Sequence, residues 1–210
     1  MTIKLQLALD FRSLQDAMKV ADACERHVDI IEAGTPLIKS EGMQAVRVLK
    51  DRHPQKMVVA DMKTMDTGAF EAQIAFSAGA DVTTVLGAAD RQTIKGASDA
   101  ARKAGRMLMV DTIGIDDLSV LKEKLSGIYF DYLAVHCGID QQKVGMSPFS
   151  MLQQAIEIFP KAKIAVAGGI DANRAGMLSA YPGVEIAIVG GAITGAKDPG
   201  KAAEEIRRRL

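Results

Sequence analysis

Short apolar runs alternate with amphipathic stretches along the whole chain. The runs fall at residues 4–9, 28–32, 56–61, 81–85, 106–110, 131–136, 163–167 and 185–189, and most are rich in Val, Ile and Leu. Such runs read as strands buried on both faces of a parallel sheet. Between them lie helical patterns, as from Leu14 to Cys24, Thr67 to Ser77, Arg91 to Ala104 and Pro148 to Ile158. Ser13 is a predicted N-cap for the first of these, and Gly79 and Gly105 are predicted stops. Eight strand–helix units with no evident linker predict an α/β fold, a single compact (β/α)₈ TIM barrel over residues 1–210. Barrels of this kind usually need about 250 residues, with about 200 near the lower limit, so the loops must be short. An open Rossmann-type sheet is the competing arrangement, but no Gly-x-Gly-x-x-Gly follows the first run.

Composition narrows the partners. Acidic and basic residues balance at 26 each with no long block of either sign. Binding along a nucleic-acid backbone needs a basic face, so no nucleic-acid partner is expected. The basic stretch Arg207 to Arg209 reads as the last turn of a helix, with Glu204 and Glu205 four residues ahead of Arg208 and Arg209. No apolar run approaches the roughly 20 residues of a membrane span. The N-terminus runs directly into strand-like sequence without a secretory pattern. Cys24 and Cys137 are too few for a disulfide scaffold. The expected location is the cytoplasm.

In a barrel of this type, chemistry gathers at the C-terminal ends of the strands. There stand Asp10, Glu32, Asp61 with Lys63, Asp111, His136 and two glycine pairs. The segment Val58-Val59-Ala60-Asp61-Met62-Lys63-Thr64-Met65-Asp66 ends a strand in three charges of mixed sign. Asp61 and Lys63 point the same way because side chains alternate across a strand, and Asp66 follows within reach. Such a cluster can hold a metal, place a proton or stabilise an oxyanion; it can equally be a strand-end ion pair. Asp10 and Asp111 read equally as turn-forming aspartates, and neither Asp111 nor Thr84 receives a specific role from the residues alone. Glu32 is a poor turn former and follows Ile30-Ile31 directly. His136 closes the sixth strand, whereas His27 and His53 fall in helix-to-strand connections on the opposite rim, where surface roles are expected. Cys137 adjoins His136 but faces the other way, which argues against a Cys–His nucleophile, and Cys24 is expected in the core. Gly168-Gly169 and Gly190-Gly191 follow the last two strands in register. Loops there commonly hold phosphate, because glycine lets backbone N–H groups approach an anion. Asp171 is a predicted cap of the helix that follows the first pair.

Together these segments resemble the orotidine 5′-monophosphate decarboxylase superfamily. The resemblance rests on Leu7-Ala8-Leu9-Asp10, Ile31-Glu32-Ala33-Gly34-Thr35-Pro36, Asp61-x-Lys63-x-x-Asp66, Val135-His136-Cys137-Gly138, Ala167-Gly168-Gly169-Ile170 and Val189-Gly190-Gly191-Ala192. The Glu32 segment resembles the sugar-phosphate branch, which holds the 3-hexulose-6-phosphate synthase family and 3-keto-L-gulonate-6-phosphate decarboxylase. The decarboxylase has an arginine where this chain has Ile139, and another where it has Gly191, so the resemblance points to the synthase side, with the decarboxylase as the alternative.

That resemblance implies an aldolase-type lyase that condenses formaldehyde with D-ribulose 5-phosphate, reversibly, through an enediolate stabilised by Mg²⁺ (Mn²⁺ in its place). Glu32 and Asp61 would be metal ligands, His136 the base, and Lys63 the cation beside the developing negative charge. Asp10 would orient substrate hydroxyls, and Gly168, Gly169, Gly190 and Gly191 would hold the phosphate. Asp66 would reach into a neighbouring site across a homodimer interface.

Overall fold

The structure, a computed structural model, describes residues 2–210. In chain order the first half holds β1 (Lys4–Leu9), α1 (Leu14–Cys24), β2 (Ile30–Ala33), α2 (Thr35–Glu41), α3 (Gln44–Arg52), β3 (Met57–Thr64), α4 (Gly68–Ser77), β4 (Val82–Leu86) and α5 (Arg91–Ala104). The second half holds β5 (Met107–Asp111), α6 (Leu118–Lys124), β6 (Tyr132–His136), α7 (Ile139–Lys143), α8 (Pro148–Ile158), β7 (Lys163–Ala167), α9 (Ala172–Met177), β8 (Val184–Val189), α10 (Gly191–Thr194) and α11 (Pro199–Arg209). All eight strands pair in parallel in chain order, and β1 pairs with β8 from Lys4↔Ile186 to Leu7↔Val189, which closes the barrel. This is the expected (β/α)₈ architecture. No helix of the described residues is long and apolar enough to cross a membrane.

Local signals act where the sequence puts them. The Ser13 hydroxyl accepts from the Asp16 N–H and caps α1. Asp90 and Asp171 cap α5 and α9 in the same way, satisfying N–H groups that have no partner within the helix. Gly105 ends α5 in the left-handed conformation at φ 62°, which glycine adopts without steric cost.

The two-residue period of the strands sorts the core into an outer and an inner layer. Leu5, Leu7, Leu9, Ile31, Leu108, Leu133 and Val166 face the helices. Ile30, Val59, Val82, Met109, Tyr132, Ala134, Ala165 and Ile186 fill the barrel interior. Two residues further along the same inward rows stand Glu32, Asp61, Thr84, Asp111 and His136. The apolar plug therefore runs directly into a polar layer at the C-terminal mouth.

Two expectations are corrected. The third strand continues to Thr64 rather than stopping at Asp61, and its pairing to β4 shifts from Ala60↔Thr83 to Thr64↔Val85. The extra residues form a bulge with Lys63 in the left-handed region at φ 46°, and the Thr84 hydroxyl accepts the Lys63 N–H at 2.9 Å. His53 is not at the surface: it is 1% exposed, with its ring nitrogens 3.3 Å from Asp22 and 3.4 Å from Glu25 on or just after α1. As the C-cap of α3, it is packed inward where the helical shell closes.

Candidate active site at the C-terminal mouth

Asp61 is 4% exposed and its carboxylate accepts from three side chains. Its Oδ2 accepts from the Thr35 hydroxyl at 2.7 Å and from Lys63 Nζ at 2.6 Å, and its Oδ1 accepts from the Thr84 hydroxyl at 2.8 Å. The bulge in β3 makes this convergence. It turns Lys63 back over Asp61 while Thr84, two residues beyond the interior Val82, reaches across from β4. A left-handed non-glycine residue costs about 1–3 kcal/mol and is found where a site over-determines it.

Lys63 Nζ also donates to Asp111 Oδ2 at 3.3 Å, and the same oxygen lies 2.9 Å from His136 Nδ1. Asp111 Oδ1 accepts the Ile113 N–H at 2.8 Å. With Nδ1 turned to a carboxylate, Nε2 is the ring nitrogen left free. Burial opposes the charge of Asp111, but the hydrogen bond and charge of His136, with Lys63, outweigh it and hold its carboxyl below the usual range. Burial likewise opposes the Lys63 ammonium, yet Asp61 and Asp111 keep it above the ordinary lysine value. Lys63 is thus a fixed cation at neutral pH.

Glu32 completes the polar layer. It is 7% exposed, and Gln6 Nε2 donates to its Oε2 at 2.6 Å. Burial first, then the charges of Asp61 and Asp10, push its carboxyl well above the ordinary range, against Lys63 and the Gln6 hydrogen bond. Asp10, on the exposed rim just past β1, is also raised, by desolvation within the mouth and by Asp61. Four carboxylates, Asp10, Glu32, Asp61 and Asp111, thus share one lysine and one histidine.

A bound cation is one group that could balance such a set of carboxylates. Among the described residues no three His, Cys, Asp or Glu side chains are arranged to hold a metal ion. Mg²⁺, however, commonly binds through only one or two carboxylates and keeps several waters. The Glu32–Asp61 pair fits that habit.

The glycine loops flank this cluster. Gly168 and Gly169 have φ 111° and 66°, and a Cβ on Gly168 would lie 2.3 Å from the Cys137 carbonyl oxygen. Gly190 lies beside Asp10, and Gly191 opens α10 with no atom within 4 Å of where its Cβ would stand. Arg174 Nη1 donates to the Gly169 carbonyl oxygen at 2.6 Å and brings a guanidinium to the edge of the first loop. Ile139 is 63% exposed at the start of α7. A recess of about 490 Å³ between Phe130, Phe159 and Lys163 lies at the other end of β6 and β7, away from every charged residue of the mouth.

The structure therefore brings Asp10, Glu32, Asp61, Lys63 and His136 together at one rim. Asp66 stands apart: it is exposed beyond β3 and accepts the Thr67 N–H at 2.7 Å, while Lys63 pairs with Asp61 and Asp111 instead. Four functional side chains lacked an assignment from sequence, namely Gln6, Thr35, Thr84 and Asp111. Thr84 and Asp111 lie two residues beyond interior apolar positions, a signal the strand period carries.

A family model described as the Orotidine 5'-phosphate decarboxylase / HUMPS family matches residues 3–206. The 3-hexulose-6-phosphate synthase of Mycobacterium gastri is 42% identical over 210 residues, covering 99% of this chain and 100% of that protein. The solved structure of 3-hexulose-6-phosphate synthase from Salmonella typhimurium matches with a TM-score of 0.95 at 44% identity, over 99% of this chain and 98% of that one. The structure of 3-keto-L-gulonate-6-phosphate decarboxylase from Vibrio cholerae O1 biovar El Tor matches with a TM-score of 0.85 at 28% identity, over 100% of this chain and 97% of that one.

Proposed function

Because the chain belongs to the Orotidine 5'-phosphate decarboxylase / HUMPS family, we propose that it acts as a 3-hexulose-6-phosphate synthase. In this reading it is a lyase that joins formaldehyde to C1 of D-ribulose 5-phosphate, reversibly, to give D-arabino-hex-3-ulose 6-phosphate. The observation that carries the reading is the His136–Asp111–Lys63–Asp61 chain of contacts beside a third buried carboxylate, Glu32.

Each group has a task its geometry suits. Asp111 holds His136 Nδ1, so Nε2 is the ring nitrogen that takes a proton from C1 of the sugar. The fixed Lys63 ammonium stabilises the negative charge that spreads over the enediolate oxygens. C1 of the enediolate then attacks the formaldehyde carbon, and His136 returns its proton to the new alkoxide. Asp10 orients sugar hydroxyls, and the Gly168-Gly169 and Gly190-Gly191 loops, with Arg174 at their edge, hold the phosphate. Glu32 and Asp61 would hold Mg²⁺, or Mn²⁺ in its place, which when bound supplies Lewis-acid stabilisation of that same charge.

The exposed apolar side chains of Met65 and Phe70 flank Asp66 and support a homodimer in which Asp66 serves the neighbouring site. The decarboxylase reading is disfavoured by Ile139 and Gly191, which leave no cation at the two positions where that enzyme carries arginine. The test is formaldehyde consumption with ribulose 5-phosphate, in Mg²⁺ and again in excess chelator. Consumption that needs both sugar phosphate and metal is expected. No consumption in either condition, with CO₂ release from 3-keto-L-gulonate 6-phosphate, would overturn the proposal.

A further inference from the structure

Gln6 is a fully buried polar side chain beneath the mouth, with 0% exposure. It lies on β1 between Leu5 and Leu7, which face the helices, and so projects into the barrel interior. Its cross-strand neighbour Ile30 belongs to the apolar interior layer, as do Val59, Val82 and Met109. An unbranched apolar residue would fill this place without a desolvation cost. A buried amide left without partners is destabilising. Here only half of the amide is satisfied: Nε2 donates to Glu32 Oε2, and Oε1 has no partner among the described residues.

The register explains what that polar group does. Gln6 pairs with Ile30 and Ala8 with Glu32, so Gln6 sits one inward step below Glu32. Its N–H group therefore grips Glu32 from the barrel floor at 2.6 Å and leaves Oε1 of the carboxylate for the mouth. Asp61 receives equivalent support from Thr35 and Thr84. Without Gln6, no side-chain hydrogen bond would fix the Glu32 carboxylate among the described residues.

We infer that Gln6 is a positioning residue for the divalent-cation site, orienting Glu32 so that its free oxygen and Asp61 converge on one ion. The inference rests on the assignment of Glu32 and Asp61 as the cation pair. Hydrogen-bonding partners of metal ligands typically contribute 10–100-fold in metal affinity.

The experiment is Mn²⁺ binding to the full chain, by the resonance signal of free Mn²⁺, for wild type, Gln6→Met, Glu32→Gln and the double variant. Gln6→Met keeps length and volume, so its thermal midpoint should equal or exceed that of wild type. Its Mn²⁺ affinity should fall roughly 10–100-fold, and adding it to Glu32→Gln should cause no further loss. Gln6→Asn, one methylene too short to reach Glu32, should weaken binding similarly and serves if the Met variant does not fold. Affinity within threefold of wild type in both Gln6 variants, or an equal further loss in the Glu32→Gln background, would overturn the inference while leaving the cation pair intact. Absence of Mn²⁺ binding by wild type would overturn the cation pair itself, and this inference with it.

Discussion

Asp111→Asn tests the centre of the site most directly. Asp111 is 3% exposed and accepts from Lys63, His136 and the Ile113 N–H. An asparagine keeps one oxygen, which the Ile113 N–H can retain, but turns an NH₂ group toward the Lys63 ammonium and His136 Nδ1. Two donors then face two donors. His136 relieves its half of the conflict only by moving its proton to Nε2, which removes the lone pair needed at C1. The environment favours the charged carboxylate despite burial, so its loss is destabilising rather than a relief of crowded negative charge. Breaking a buried pair from one side costs about 3–5 kcal/mol. At about 2–4 °C per kcal/mol for a chain of this size, the thermal midpoint should fall by about 6–20 °C. A positioned general base is worth about 10²–10⁴-fold, and exchange of the C1 proton of ribulose 5-phosphate with deuterated solvent should slow by that order. The stability that ionised Asp111 contributes is present above its unfolded value of 3.8 and lost as pH falls through its lower native value. The gap between wild type and variant should therefore be flat near neutrality and narrow below about pH 4. Urea melts across pH and proton exchange followed by magnetic resonance make both measurements. Exchange within threefold of wild type, with an unchanged midpoint, would refute the assignment.

Three further outcomes follow from the same geometry. Gly34→Ala places a Cβ 2.1 Å from Asp10 Oδ1 and 2.9 Å from the Leu9 carbonyl oxygen at an unstrained φ of −65°, so the effect is purely steric. Stability should fall by about 1–3 kcal/mol in urea melts, and the displaced Asp10 should raise KM more than it lowers kcat. Glu32→Gln removes a carboxyl whose raised native pKa gives it stability that is present below 4.5 and lost as pH rises through the native value. In chelator the variant should melt higher than wild type at pH 7.5 but not at pH 4.5; a lower midpoint at pH 7.5 would contradict the account. Asp66→Asn, at an exposed position outside the cluster, should change stability by less than about 0.5 kcal/mol yet abolish most turnover. Full activity in that variant would remove Asp66 from the site.

What the chain reveals before folding and what it withholds divide along a physical line. The period of two is local, so the strands, the barrel and the rim positions of Glu32, Asp61 and His136 were legible run by run. The missing roles all belong to contacts between runs. Thr35 meets Asp61 across 26 residues and Lys63 meets Asp111 across 48, and only the pairing register brings them to one level. The continuation of β3 past Asp61 has the same origin, because the bulge is held by Thr84 on the neighbouring strand rather than by any local preference of Met62 or Lys63. The burial of His53 has a related cause: a helix-to-strand connection is usually exposed, but this ring lies against Asp22 on α1 and Glu25 just after it. Parity carries more information than a motif search extracts from it. Counting by twos from the interior Val82 and Met109 arrives at Thr84 and Asp111, and counting back from Asp10 arrives at Ala8 and Gln6. In a closed parallel barrel every inward row ends at the mouth, so a polar residue in the mouth-side half of such a row faces either the site or a group that supports it. Asp66 lies beyond the bulge, on no inward row, so the role proposed for it would require a second copy of the chain.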